Sequence, residues 1–200
     1  MTAAAETVVH LVRHGEVDNP GKVRYGQLIG FPLTQRGREQ ARQAAAQLAR
    51  VAPAIDVIIS SPLARAIETA TLLRVALDRS DELVVDARLI EAKSDFDGLH
   101  RLAVIGPWHW PKLRNPLRPS WGEPFDAVAQ RMLSALAAFR ATWPGGTIVA
   151  VSHQSPIWLA RQALIAPPPP WRSRMHCAHA SITTLRFSGD RYQGYDYWAP

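Results

Sequence analysis

The sequence predicts an α/β fold: a three-layer sandwich with a mainly parallel central sheet flanked by helices and a hairpin at its C-terminal edge. Three observations predict it. Apolar runs at residues 8–12, 57–59 and 148–151 are rich in Val and Ile and do not alternate with polar residues. Strands covered on both faces read this way. Stretches with helix-start signals alternate with these runs, as crossover connections between parallel strands require. Near the C-terminus, residues 181–187 and 192–197 flank Ser188-Gly189-Asp190, a turn sequence that joins two strands as a hairpin.

Each connection has its own signals. Residues 34–50 are rich in Ala, Arg and Gln, with Thr34 placed to cap a helix. Ser61-Pro62 pairs an N-cap with a proline at the first helical position, and the helix runs to about Leu77. A short strand follows at 83–85. Another helix begins near Glu123-Pro124 and ends before Pro144-Gly145-Gly146. Ser155-Pro156 repeats the cap-and-proline signal for a helix reaching about Ile165. One segment breaks the rhythm. Residues 92–122 have little periodicity, several prolines and Trp108, His109, Trp110 and Trp121. Such an insertion reads as a lid or a substrate-facing wall, or else as a surface loop pinned by its tryptophans. The prolines at 167–170 read as a stiff surface connection. No repeat or linker divides the chain, so residues 1–200 are expected to form one domain.

Bulk properties exclude several classes. A chain of 200 residues, 47% hydrophobic, suffices for one large core. No apolar run approaches the roughly 20 residues that span a bilayer. The N-terminus lacks the basic start and apolar stretch of a secretory signal. With Cys177 as the sole cysteine, a reducing, cytoplasmic setting is expected. The net charge of +6 comes mainly from arginines scattered along the chain. Without a basic run or a recognition motif, no nucleic-acid partner is expected; the charge reads as a solvated, arginine-rich surface or as attraction towards anionic substrates.

The chemistry sits where the apolar runs stop. Val12 is followed by Arg13-His14-Gly15, Ile59 by Ser60-Ser61-Pro62-Leu63-Ala64-Arg65, and Val151 by Ser152-His153. Ligands of open α/β sheets bind beyond the carboxyl ends of the strands. Parallel neighbours would therefore bring two histidines and two arginines to one edge, beside helix N-termini that favour an anion. This set suits a phosphate monoester. Arginine grips two phosphate oxygens at once, and a neutral imidazole is a nucleophile at physiological pH. Attack by His14 would form a phosphohistidine. Arg13, Arg65 and a protonated His153 would meet the charge on the transferring oxygens. The scheme needs neither metal nor cofactor.

These segments resemble the histidine phosphatase superfamily, which includes the cofactor-dependent phosphoglycerate mutases. Arg13-His14-Gly15-Glu16 is similar to its signature, residues 61–70 to its second motif and Ser152-His153 to its third. Pro32-Leu33-Thr34 with Gly37, and Gly122-Glu123 with Asp126 and Arg131, fit weaker family patterns. The resemblance implies that His14 is phosphorylated, that Arg13, Arg65 and His153 bind the phosphoryl group, and that a glutamate donates a proton. Glu91 in Leu89-Ile90-Glu91 stands where the family places that acid, with Asp95 and Asp97 as nearby substitutes. Where the family often has an asparagine, this chain has Pro20 preceded by Asn19; where it often has Gly-Gly after the second histidine, this chain has Gln154-Ser155. Asn19, Gln27 and Gln154 are the candidate substrate contacts.

His10, inside the first strand, reads as a structural histidine. His176, Cys177 and His179 lack a second ligand cluster, so they too read as structural and no metal site is expected. Glu16 and Glu68 read as supporting carboxylates. The expected function is hydrolysis of a small organic phosphomonoester. A phosphoglycerate-type mutase and a non-catalytic phospholigand-binding protein are the alternatives. The oligomeric state is not encoded in any recognisable feature.

Overall fold

The computed structural model describes residues 5–52, 54–100, 102–103, 121–165 and 176–200. The elements are β1 (Glu6–Arg13), α1 (Gln35–Val51), β2 (Val57–Ser60), α2 (Ala64–Ala76), β3 (Val84–Val85), a 3-10 turn (Ala87–Leu89), α3 (Phe125–Thr142), β4 (Thr147–Ser152), α4 (Gln154–Leu164), β5 (Ile182–Ser188) and β6 (Arg191–Trp198). The sheet order is β3-β2-β4-β1-β5-β6. Pairs β3–β2, β2–β4 and β4–β1 are parallel, and β5 and β6 add antiparallel edges. The expected α/β sandwich with its C-terminal hairpin is the observed one.

Alternation within each run explains why it reads as continuously apolar. Val9, Leu11, Ile59, Ile148 and Ala150 pack on one face against Met132, Leu136 and Phe139 of α3 and Ile157 and Ala160 of α4. Val12, Ile58, Val149 and Val151 pack on the other against Ala44, Ala45 and Leu48 of α1 and Ala66, Ala70 and Leu73 of α2. With helices on both faces, neither set of side chains needs to be polar. Register then aligns the strand ends: Arg13 pairs with Ser152, and Ser60 with Val151. The residues that follow each strand emerge at one edge.

The helix starts differ from the sequence reading in instructive ways. Thr34 caps α1 as expected, its hydroxyl accepting from the Gly37 amide at 2.9 Å. Ser61 does not cap α2; Leu63 is the N-cap, with no side-chain bond. The start of α4 is Gln154, with His153 as N-cap, so Pro156 falls within the first turn, where its missing N–H is not needed. For α3 the N-cap is Pro124 itself. Trp121 stacks on Phe96 at 5.9 Å, and Gly122 bridges to Ser94. Trp108, His109, Trp110 and the 167–170 run lie outside the described residues. Among the described residues, no helix is long and apolar enough to cross a membrane.

Candidate active site

The ends of β1, β2 and β4 bring His14, Arg65 and His153 together with Arg13. All four are buried. His14 Nδ1 lies 2.7 Å from the Gly15 carbonyl oxygen. A carbonyl only accepts, so Nδ1 carries the proton and Nε2 keeps the lone pair of a nucleophile. The neighbouring ring is that of His153, whose centroid is 5.2 Å away. His153 Nε2 meets the Ser61 hydroxyl at 2.7 Å, which leaves Nδ1 without a partner among the described residues.

Charge reinforces this arrangement. Burial holds the His14 pKa well below its ordinary value, aided by His153, Arg13 and Arg65. Burial does the same to His153, with Arg65, Arg13 and Arg131 adding to it. Burial thus favours the neutral form of His153 in the absence of an anion. Neither Arg13 nor Arg65 is ion-paired among the described residues. Arg65 donates to the carbonyls of Gly26 and Leu28, and its guanidinium stands 4.9 Å above the Tyr25 ring. Arg13 donates to the Cys177 carbonyl at 2.5 Å, and its Nη2 lies 3.0 Å from His179 Nε2. The Nε of each arginine has no partner among the described residues. Two buried cations with no carboxylate in ion-pair contact among the described residues make a site suited to an anion.

Glu91 follows the 3-10 turn, which is anchored by the Ser152 hydroxyl donating to the Leu89 carbonyl at 2.7 Å and by Arg131 donating to the Arg88 carbonyl at 2.6 Å. Its carboxylate accepts from the Ala92 amide at 2.8 Å and from the Ser155 hydroxyl. Burial raises its pKa, against the pull of those bonds and of Arg13 and Arg65. A carboxyl whose pKa is raised, beside two histidines and two arginines, is suited to general acid work. Gln27 bonds to the Glu91 carbonyl through Nε2 at 2.7 Å. It also lines a cleft of about 530 Å³ with Ile90, Lys93, Asp95, Gly122, Glu123 and Arg131. Gln154 opens α4, half-buried. The Asn19 amide is engaged at both ends by the Val23 backbone, at 2.9 and 3.1 Å, and so stabilises its own loop. Asp97 accepts from the Gln27 amide at 3.0 Å.

The supporting carboxylates act as read from the sequence. Glu16 accepts from the Thr34 hydroxyl, while Glu68 accepts from the Leu33 amide and Arg38. Sequence reasoning missed Tyr25, Ser61, Ser155 and His179. Ser61 was assigned to a cap, and His179 to a structural role. Their signal is proximity across the fold, which spacing along the chain does not carry. His176, Cys177 and His179 do not gather into a metal-binding group among the described residues.

The fold and this cluster of buried histidines and arginines define a class. The model of the histidine phosphatase superfamily (branch 1) matches residues 9–197, and the chain belongs to that superfamily. It is 41% identical over 201 residues to the uncharacterised protein Rv0525 of Mycobacterium tuberculosis, covering 98% of this chain and 97% of that one. It is 31% identical to phosphoserine phosphatase 1 of Hydrogenobacter thermophilus, covering 74% and 71%. Among solved structures, mycobacterial glucosyl-3-phosphoglycerate phosphatase in complex with VO3 superposes with a TM-score of 0.77 at 29% identity, covering 96% and 98%.

Proposed function

We propose that this protein is a metal-independent phosphatase that hydrolyses a small organic phosphomonoester through a phosphohistidine on His14. The observation that carries the reading is the His14 Nδ1–Gly15 bond, which leaves the lone pair on Nε2 of a histidine that Arg13 and Arg65 adjoin. In the first step Nε2 bonds to phosphorus as the ester P–O bond breaks. Glu91 gives its proton to the departing oxygen. In the second, water attacks phosphorus, Glu91 takes a proton from that water, and the N–P bond breaks to release phosphate. Arg13, Arg65 and His153 hold the transferring oxygens. Gln154 at the α4 N-terminus adds backbone donors to the same group.

The leaving group lies in the cleft beside Gln27, whose lining includes residues from both ends of the 92–122 segment. That supports a role for the segment as a substrate-facing wall of one catalytic domain. Hydrolysis is favoured over mutase chemistry by Pro20, Gln154 and Ser155, and by the phosphatases named among the relatives. A lone, buried Cys177 fits a cytoplasmic enzyme.

The test is turnover of 4-nitrophenyl phosphate by the wild type and His14→Ala, with folding followed by circular dichroism. The variant is expected to lose at least about a thousandfold in kcat while staying folded. Equal turnover would exclude His14 as nucleophile. Efficient phosphoryl migration on 3-phosphoglycerate would make the protein a mutase.

A further inference from the structure

Arg13 owes its orientation to the turn before β5. Its Nη1 donates to the Cys177 carbonyl and its Nη2 faces His179 Nε2 at 3.0 Å. Guanidinium nitrogens only donate, so His179 Nε2 is the acceptor and the ring is neutral with its proton on Nδ1. The same ring lies 5.8 Å from that of His14, forming one wall of the nucleophile's surroundings. The backbone is shaped to put it there. Ala180 adopts a φ of 52°, unusual for a residue with a Cβ, while its amide donates to the His14 carbonyl at 3.2 Å. Left-handed backbone at a non-glycine residue costs on the order of 1 kcal/mol or more and persists where the surroundings fix it.

We infer that His179 is a positioning residue: its neutral imidazole fixes the plane of the Arg13 guanidinium without cancelling the charge that the phosphoryl group needs. The choice of residue type follows from that task. A carboxylate at this position would orient Arg13 more strongly, yet would compete as an anion with phosphate. An apolar side chain would remove that acceptor from a part-buried Nη2. A neutral acceptor satisfies both demands. Cys177 supplies a second one from the backbone, so the guanidinium is held at both terminal nitrogens and its Nε remains available. The inference rests on the phosphatase reading for its kinetic consequence, though not for the anion binding it predicts.

Three variants separate the possibilities. His179→Gln restores a neutral acceptor, His179→Leu has similar volume but no acceptor, and His179→Glu accepts but brings a negative charge. Orthovanadate affinity, measured by calorimetry, reads the pocket without requiring turnover. His179→Gln is expected to bind within about threefold of the wild type, and His179→Leu and His179→Glu each at least about tenfold more weakly. The kcat/KM for 4-nitrophenyl phosphate is expected to follow the same order. A purely structural role would instead lower kcat by lowering the active fraction, with KM and vanadate affinity unchanged. Vanadate binding to His179→Leu within threefold of the wild type would overturn the inference, as would equal affinities in the Gln and Glu variants. If the wild type binds vanadate but turns over no phosphate ester, the phosphatase reading fails while the vanadate series still decides the role of His179.

Discussion

The rings of His14 and His153 lie 5.2 Å apart with 59° between their planes, and the Ser61 hydroxyl holds the second by its Nε2 at 2.7 Å. One buried serine therefore fixes the orientation of the His153 ring. Ser61→Ala removes that constraint and leaves a buried imidazole nitrogen unsatisfied. It is expected to lower kcat/KM for an aryl phosphate about tenfold, the range of a lost hydrogen bond to a buried polar group. Steady-state kinetics against unchanged circular dichroism will check it. Activity within twofold of the wild type would mean that His153 is oriented by other contacts.

The pH profile follows from two opposed shifts. His14 must be neutral, and burial pushes its pKa well below 6.5, so activity is lost only as pH falls through that depressed value. Glu91 must be protonated to donate, and burial raises its pKa above 4.5, so activity declines as pH rises through that raised value. The profile of kcat/KM against pH is expected to be bell-shaped, with His14 setting its acid limb and Glu91 its alkaline limb. Glu91→Gln is expected to reduce kcat/KM for an alkyl phosphate by about 10²–10⁴. Loss with 4-nitrophenyl phosphate should be far smaller, because that leaving group departs without a proton. Equal losses on both substrates would remove Glu91 as the acid.

The gathering of Arg13, His14, Arg65 and His153 was legible in the sequence, because each lies at or shortly after the end of a strand. Arg13 and His14 cannot be elsewhere than at the end of β1 once residues 8–12 form a buried strand. The helix caps were less legible. Ser61-Pro62 has the pattern of an N-cap, but the hydroxyl bonds to His153, a residue distant in sequence and brought near by the β2–β4 pairing. His179 was read as structural for the same reason: its contact with Arg13 depends on β5 running antiparallel to β1. Asn19 followed a position in a pattern, whereas its amide closes a local loop on Val23. Local signals locate elements well; contacts between elements need the register.

Two glycines fix the approach of α1 to the end of β1. A Cβ on Gly15 would stand 2.4 Å from the Gly37 carbonyl oxygen, and one on Gly37 would stand 2.1 Å from that of Glu16. Both clashes are with backbone, which cannot swing aside as a side chain does. Gly37→Ala is expected to cost about 2–3 kcal/mol of stability, in the range of overpacked sites. Because the displaced strand end carries His14, kcat should fall as well. Urea denaturation and turnover measured together will test this, and a variant as stable as the wild type would show that the segment adjusts freely.

His10 gives the protein a pH-dependent stability separate from its chemistry. It lies in β1 on the α1 side of the sheet, 2% exposed, with Nδ1 2.9 Å from the Thr184 hydroxyl. Burial lowers its pKa to about 4, with Arg186 adding to the effect. The unfolded chain, with an ordinary histidine near 6.5, therefore binds the extra proton across the window from about 6.5 down to about 4. Stability is fully present above that window and is lost as pH falls through it, by about 3 kcal/mol in the limit. His14 and His153 act with the same sign, so the wild type should lose stability steeply on acidification. His10→Leu removes one of the three contributions, along with the bond to Thr184. The variant is expected to be less stable at pH 7, yet its further loss between pH 7 and pH 4.5 should be smaller by about 2 kcal/mol. Urea midpoints at the two pH values measure this difference. An unchanged drop would mean that His10 takes up its proton without unfolding, through a water or a local shift at the β5–β6 edge.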